Sequence, residues 1–150
     1  YCDQLDEMKK TAAEEMNAEK GEEEAEITAD SLSDEDVIQY YLDKHPEVKG
    51  CFGTNITATQ LIVTTLRQME NTENVVVMGF DAGESQLKAL ESGEIKGLVV
   101  QNPFGIGYSS VIAAARSALE IGNEAVVNTG YIWVTQENME QDSIKDMLYE

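Results

Sequence analysis

Three apolar stretches of this chain each stop at one hydrogen-bonding side chain, and a predicted helix follows each of them. The stretches cover residues 48–54, 74–80 and 95–101. The polar side chains at their ends are Asn55, Asp81 and Gln101. In a parallel sheet all carboxyl ends lie at one edge, and ligands bind in the crevice outside that edge. We therefore predict that these three side chains line one ligand site.

Hydrophobic periodicity predicts an alternation of helices and strands along the whole chain. The predicted helices cover 3–20, 33–45, 58–70, 84–92, 106–121 and 139–149, and the predicted strands cover 25–29, 48–54, 74–80, 95–101 and 126–134. This order predicts an α/β fold of three layers, α/β/α, with a mostly parallel sheet that helices cover on both faces. The three valines at 75–77 predict a strand that is buried on both faces.

The predicted helix boundaries depend on cap and stop residues. Ser33 with Asp36 forms a capping box, and the residue before Pro46 is pushed out of the α region. Gly122 is the predicted stop of the helix over 106–121. The pattern opens on a helix with no strand before it, although helices of this architecture connect strands. We therefore expect a piece of the protein upstream of residue 1.

Charge and composition exclude several classes of function. The 150 residues contain 29 acidic and 10 basic side chains, a net charge of −19. Nucleic-acid binding depends on basic side chains that neutralise phosphates, so this segment is not expected to bind nucleic acid or an anionic membrane surface. The two cysteines, Cys2 and Cys51, form no metal or redox motif. No apolar run approaches the length of a membrane span.

Each candidate ligand residue also has a purely structural interpretation. Asp81 is a candidate helix cap or turn residue, and Asn55 a candidate cap of the helix that starts near Thr57. Gln101 lies at a strand end, where an amide often only completes a turn. Phe104 and Tyr108 fit either stacking on a sugar ring or packing against apolar surface, and we favour packing.

The residues that could make this chain an enzyme lack partners. Ser109 and Ser110 have no histidine partner, and His45, the single histidine, fits a helix end. A general base at Asp81 would need a second catalytic group, which is not evident. The pair Gly105 and Gly107 lacks the third glycine of a dinucleotide fingerprint. We predict a binding protein without cofactor or metal.

The chain resembles the C-terminal lobe of the type I periplasmic sugar-binding proteins, the ribose- and galactose-binding group of ABC transporter receptors. The resemblance runs from about residue 5 to residue 150 and includes Phe52-Gly53-Thr54-Asn55, Gly79-Phe80-Asp81 and Gln101-Asn102-Pro103. Further matching segments lie at 45–48, 77–83, 100–107, 127–131 and 134–138. Asn55, Asp81 and Gln101 match family positions that hydrogen-bond sugar hydroxyls.

The resemblance implies a receptor that binds a monosaccharide or polyol-like solute between two lobes that close around it. The implied partners are an ABC permease and, for some receptors, a chemoreceptor. The implied location is the periplasm or, for a lipid-anchored lipoprotein, the outer face of the cytoplasmic membrane.

Against this family the chain looks like a single C-terminal lobe over 1–150, without the N-terminal lobe or the first strand. We expect the apolar helix over 106–121, with its flanks at 104–122, to pack on the missing lobe or on a neighbour, which leaves homo-oligomers open. The alternative function is the effector-binding core of a lac-repressor-type transcription regulator, which shares the fold and carries an N-terminal helix-turn-helix.

Overall fold

Four strands form one sheet in the computed structural model of the protein, which describes residues 2–20 and 25–148. In spatial order they are β1 (Gly50–Phe52), β2 (Val76–Phe80), β3 (Ile95–Gln101) and β4 (Tyr131–Val134). The first three are parallel to one another, and β4 pairs antiparallel with β3. The predicted α/β class with a mostly parallel sheet is confirmed.

Six α-helices and one 3₁₀ turn accompany the sheet in the described part of the chain. They are α1 (Cys2–Glu19), the 3₁₀ turn Ala29–Ser31, α2 (Asp34–Lys44), α3 (Ile56–Gln68), α4 (Glu84–Glu91), α5 (Pro103–Ala118) and α6 (Asp142–Lys145). Helices α3 and α4 pack on β2 and β3, α2 packs on α3, and α1 packs on α2. None of the helices described is both long and apolar enough to cross a membrane.

The core lies between α3, α4 and one face of the sheet. Its apolar side chains are fully or almost fully buried, and they stabilise the fold by about 25 cal/mol for each Å² of apolar surface removed from water. The core residues are Val63, Leu66, Val75, Val77, Ala82, Ala89, Leu90, Ile95, Leu98, Val100 and Val134.

The opposite face of the sheet is largely exposed, so the prediction of a strand buried on both faces is wrong for the valines at 75–77. Val77 points into the core and is 2% exposed, whereas Val76 is 43% exposed. Successive side chains of a strand point to opposite faces, and α3 and α4 both lie on the Val77 side. Phe52 lies beside Met78 on the exposed face, and the Trp133 ring covers Gly97 there.

The predicted strand over 25–29 is not formed. Residues 25–28 have no regular structure and lead into the 3₁₀ turn. The backbone of Ile27 bonds instead to one side chain of α1. Its N–H donates to Asn17 Oδ1 (2.9 Å), and its carbonyl accepts from Asn17 Nδ2 (2.7 Å). An amide side chain therefore takes the place that a neighbouring strand would have.

Helix α1 is tied to α2 by a small polar cluster. The carboxylate of Glu15 accepts from Lys44 Nζ (2.6 Å) and from the Tyr40 hydroxyl (3.0 Å). These hydrogen bonds, that of Lys44 first, lower the pKa of Glu15 from its ordinary value. The cluster is partly exposed, so we expect it to orient α1 more than to stabilise the protein.

Helix ends follow the predicted caps in one case and replace them in another. Ser33 caps α2: its Oγ accepts from Asp36 N (3.1 Å), and Asp36 Oδ2 accepts from Ser33 N (2.8 Å). The predicted stop of α5 at Gly122 is wrong, because Glu120 takes the left-handed conformation with φ 57°. The N–H of Ile121 then bonds to the Arg116 carbonyl (2.9 Å) and closes the helix.

Two predicted elements near the C-terminus are longer than the observed ones. Strand β4 occupies only the end of the predicted 126–134, because residues 126–130 lie outside the ladder with β3. Helix α6 is a single turn within the predicted 139–149, of which the last residue lies outside the described part. Helix α5 begins three residues before the predicted start, since Asn102 caps it and a proline suits the first helical position.

Replacing Gly97 by alanine is expected to displace the Trp133 ring, because a Cβ atom at position 97 would overlap with it. We expect the free energy of unfolding to fall by about 1–3 kcal/mol. Trp133 is the single tryptophan, so its emission should shift to longer wavelength as the ring enters water. Urea unfolding followed by tryptophan fluorescence measures both effects.

The matched control is Gly107→Ala in α5, where no atom lies within 4 Å of an added Cβ. An alanine inside a helix should raise the free energy of unfolding by about 0.5–1 kcal/mol. Unchanged emission and stability in Gly97→Ala would contradict the observed packing of Trp133.

Candidate functional site

The carboxyl ends of β1, β2 and β3 lie side by side at one edge of the sheet, because these strands are adjacent and parallel. Asn55 follows β1 by three residues, Asp81 directly follows β2, and Gln101 is the last residue of β3. The structure therefore brings all three predicted residues to the same edge, where α3, α4 and α5 also begin. We call these three residues the edge triad.

Asn55 caps a helix, which is the structural alternative predicted for it, and the cap determines which of its amide groups stay available for hydrogen bonds. It is the N-cap of α3, and its Oδ1 accepts from Ala58 N (2.8 Å). The carboxamide oxygen is thus occupied, and within the described residues nothing bonds to the Nδ2 group. Asn55 is half-buried and offers hydrogen-bond donors at the edge.

Asp81 does not cap the helix that follows it, so that structural interpretation is wrong. The N-cap of α4 is Gly83. Asp81 instead adopts the left-handed conformation with φ 69°, which aspartate tolerates better than most residues. Its backbone N–H donates to the Val99 carbonyl (2.8 Å). Across the described chain no hydrogen bond or ion pair reaches its half-buried carboxylate, which can only accept hydrogen bonds when ionised.

Gln101 presents an exposed side chain at the end of β3. Its cross-strand neighbour is Tyr131 of β4, which is 73% exposed. The turn after β3 is completed by the next residue, because Asn102 Oδ1 accepts from Gly105 N (2.8 Å). In the described residues the Gln101 amide has no bonding partner, so it can both donate and accept.

Two buried polar side chains hold the loops of the edge triad, and sequence reasoning missed both as site residues. Thr59 of α3 and Gln86 of α4 are 0% and 1% exposed. The Thr59 hydroxyl donates to the Asn55 carbonyl (2.7 Å) and accepts from Phe80 N (3.4 Å). The sequence signal for both is a polar residue on the inward face of an amphipathic helix. Such a residue needs hydrogen-bond partners when it is buried.

Glycines allow α3 to approach the strand ends closely. A Cβ at Gly53 would overlap with the backbone and hydroxyl of Thr59, and a Cβ at Gly79 would overlap with the Thr59 side chain. A larger residue at Gly53 would require the backbone of α3 to move, and one at Gly79 would require the Thr59 side chain to move. The start of α3, and Asn55 with it, is therefore held directly against the ends of β1 and β2.

Two aromatic rings lie beside the edge triad on the first turns of α5. Phe104 and Tyr108 stack on each other with centroids 6.3 Å apart. They are 81% and 63% exposed, so the packing that we favoured for them is not made within the described part of this chain. No residue of α5 is buried.

The electrostatic character of the edge comes from helix ends and one carboxylate. The N-termini of α3, α4 and α5 place partial positive charge there, and Asp81 adds one negative charge. Among the described residues, no group of three or more His, Cys, Asp or Glu side chains is placed to hold a metal ion. A cavity of about 690 Å³ lies elsewhere, between α4 and residues 139–148.

The family model of the periplasmic binding protein domain matches residues 3–123, most of the chain. The chain therefore belongs to the periplasmic binding protein family. A comparison with curated proteins finds no match.

Solved structures of similar fold include receptors with sugars bound. A carbohydrate transporter solute binding protein from Agrobacterium radiobacter, in complex with D-arabinose, is 31% identical over 75% of this chain, with a TM-score of 0.68. An ABC transporter solute binding protein from Agrobacterium vitis with bound D-fucose is 18% identical over 96% of this chain, with a TM-score of 0.70. The second likeness shows the fold alone.

A third similar structure has a printed description that also mentions transcriptional regulation. It is described as "ABC transporter, LacI family transcriptional regulator" from Brachyspira murdochii, and it is 27% identical over 77% of this chain, with a TM-score of 0.63. This chain spans 38%, 62% and 40% of the lengths of the three structures, in the order given.

The contact between Thr59 and Gly79 gives a test of how the edge is built. We expect Gly79→Ala to lower the free energy of unfolding by about 1–3 kcal/mol, because the added Cβ overlaps with the Thr59 side chain. In a Thr59→Ala background the overlap with the Thr59 side chain is gone, so the double variant should be more stable than the sum of the two single changes predicts. Urea unfolding of the four proteins measures this coupling.

Gly53→Ala is the matched control for this cycle. A Cβ there meets the backbone of Thr59, which Thr59→Ala does not remove, so we expect much less rescue. Strictly additive effects of Gly79→Ala and Thr59→Ala would contradict the close contact of α3 with β2.

Proposed function

We propose that this chain is a ligand-binding lobe of an ABC transporter solute receptor and that its ligand is a monosaccharide. The observation that carries the proposal is the edge triad: three polar side chains, from three adjacent strand ends, each of which keeps a hydrogen-bonding group without a partner in the described residues. Binding without chemistry fits this site, since no second catalytic group accompanies Asp81 in the described residues.

The hydrogen-bonding roles of the three side chains suit the vicinal hydroxyls of a sugar. Each hydroxyl donates one hydrogen bond and accepts up to two. Asn55 Nδ2 supplies donors, the Asp81 carboxylate supplies acceptors, and Gln101 supplies both. Hydrogen bonds to the ionised Asp81 carboxylate are expected to be the strongest of the set. The family membership and the arabinose-bound Agrobacterium radiobacter structure support a small sugar.

A second lobe would complete the site, and α5 is its proposed contact. Val111, within this helix, and Leu119, directly after it, are each 69% exposed. Monomeric proteins rarely leave large apolar patches in water. In the complete receptor we infer that closure of the two lobes buries the sugar and that the permease recognises the closed form.

We propose that the receptor is located in the periplasm, as the family name indicates. For a receptor with a lipid anchor it would be the outer face of the cytoplasmic membrane. A regulator's effector core is the second candidate, which the Brachyspira murdochii structure favours through its printed description. A helix-turn-helix upstream of this chain would support regulation, and a signal peptide or lipid-attachment site would support transport.

The sugar proposal is tested by titrating the ¹⁵N-labelled chain with D-arabinose, D-fucose and D-allose in separate NMR experiments. We expect at least one sugar to shift the signals of Asn55, Asp81 and Gln101. One open half-site offers few contacts, so the dissociation constant should be about 1 mM or weaker. Asp81→Asn should weaken the binding about tenfold, because charge-assisted hydrogen bonds are lost.

The matched control is Asp43→Asn, which removes an exposed carboxylate from α2 and should leave the affinity unchanged. Absence of shifts with every sugar up to about 100 mM would contradict the proposal, since that limit detects even very weak complexes. Sub-micromolar binding by this chain would contradict the need for a second lobe.

The exposed apolar surface of α5 is tested with the neutral dye Nile red. We expect the chain to enhance the dye's fluorescence and the double change Phe104→Ser with Tyr108→Ser to reduce that enhancement, because it removes the two most exposed rings of α5. The control Tyr41→Ser, on α2, should have little effect. Fluorescence equal to that of free dye would contradict an α5 that needs a partner.

A further inference from the structure

Gln86 is a buried polar side chain with both ends of its amide in use. It lies in the first turn of α4 and is 1% exposed. Its Nε2 donates to the Phe80 carbonyl (2.8 Å), and its Oε1 accepts from Gly83 N (3.0 Å). The two backbone groups flank Asp81, so a single side chain bridges the loop that carries the carboxylate.

Helix capping accounts for only one of these two bonds. The bond from Gly83 N to Gln86 Oε1 is the return arm of a capping box, which glutamine or glutamate at this position commonly makes. The bond from Nε2 to the Phe80 carbonyl reaches past the cap to the last residue of β2. A glutamate could make the first bond, but an ionised carboxylate has no hydrogen to donate to the second.

The Phe80 carbonyl belongs to the same rigid peptide group as the Asp81 N–H. Because the peptide bond is planar, fixing both of its polar ends fixes its orientation. The N–H end donates to the Val99 carbonyl of β3 (2.8 Å). The carbonyl end accepts from Gln86, so the peptide that leads into Asp81 is held from the sheet on one side and from α4 on the other.

This hold matters because Asp81 has an uncommon backbone conformation, with φ 69°. A residue other than glycine keeps such a conformation only where its surroundings over-determine it. We propose that Gln86 is the positioning residue for Asp81: by clamping the peptide before it and the N–H two residues after it, the buried amide holds Asp81 in the left-handed conformation and its carboxylate at the edge triad. What that carboxylate binds rests on the proposed function.

The test compares Gln86→Met and Gln86→Glu with the unchanged chain. Methionine has a similar length but removes both bonds, whereas glutamate keeps the bond from Gly83 N. Leu90→Val is the control: it perturbs the buried face of the same helix without touching the loop. For each protein, NMR measures the chemical shift and hydrogen exchange of the Asp81 amide, together with its titration by D-arabinose.

We expect both Gln86 variants to shift the Asp81 signal and to speed exchange of its N–H by about tenfold or more relative to amides in the core of α4, as expected for local opening. Leu90→Val should not produce this local change. D-arabinose affinity should fall about as much in Gln86→Met as in Asp81→Asn, since a mispositioned carboxylate loses its charge-assisted bonds.

The outcomes separate this inference from the proposed function. An unmoved Asp81 amide in either folded Gln86 variant overturns the inference, as does full arabinose affinity in a variant whose loop has moved. A shifted Asp81 amide signal in the Gln86 variants, together with no binding of any of the three sugars, would support the positioning role of Gln86 and contradict the proposed sugar ligand. If Gln86→Met does not fold, Gln86→Glu gives the same readouts.

Discussion

The architecture of the edge depends on how closely α3 lies against the ends of β1 and β2. Gly53 and Gly79 leave no room for a Cβ, and Thr59 fills the space between them. Because its hydroxyl also joins the Asn55 carbonyl to the N–H of Phe80, one buried contact sets the spacing between two strand ends. The distance between Asn55 and Asp81 therefore follows from the packing of small residues under a helix.

Some polar side chains at the edge have hydrogen-bond partners within the fold, and others keep groups without a partner in the described residues. Thr59, Gln86 and Asn102 satisfy backbone groups within the described loops, while Asp81 and Gln101 have side chains without partners there. Asn55 belongs to both groups, because its oxygen caps α3 and its Nδ2 remains. Loops that must end strands and begin helices need local side-chain bonds, so a site at their tips is available only where other residues supply those bonds.

The sequence predicted the strand ends well because they combine two strong signals, an apolar run and a following helix. Parallel pairing of these strands is enough to place Asn55, Asp81 and Gln101 at one edge, as observed. The prediction was wrong where the structure of a segment depends on the elements packed beside it. The strand expected over 25–29 is not formed, because Asn17 bonds to its backbone. Val76 faces solvent, because α3 and α4 both lie on the other face of the sheet. The positioning role proposed for Gln86 was missed because its second bond reaches a loop whose conformation, with Asp81 left-handed, is not visible in residue order.

The three side chains of the edge triad differ in whether they can donate or accept a hydrogen bond. Since the Asn55 oxygen is fixed by Ala58 N, Asn55 cannot accept from a ligand hydroxyl, and an ionised Asp81 cannot donate to one. A ligand hydroxyl that bridged the two would have to accept from Asn55 and donate to Asp81, which would select one orientation of its O–H bond. In the proposed complex, a neighbouring hydroxyl would meet Gln101, whose amide can donate or accept. Fully ionised carboxylate or phosphate groups have no hydrogen to donate to Asp81, and its negative charge disfavours anionic groups at this position. Under the proposed function, the charge and hydrogen-bond pattern of these three side chains therefore favours neutral hydroxyl-bearing ligands over anionic ones.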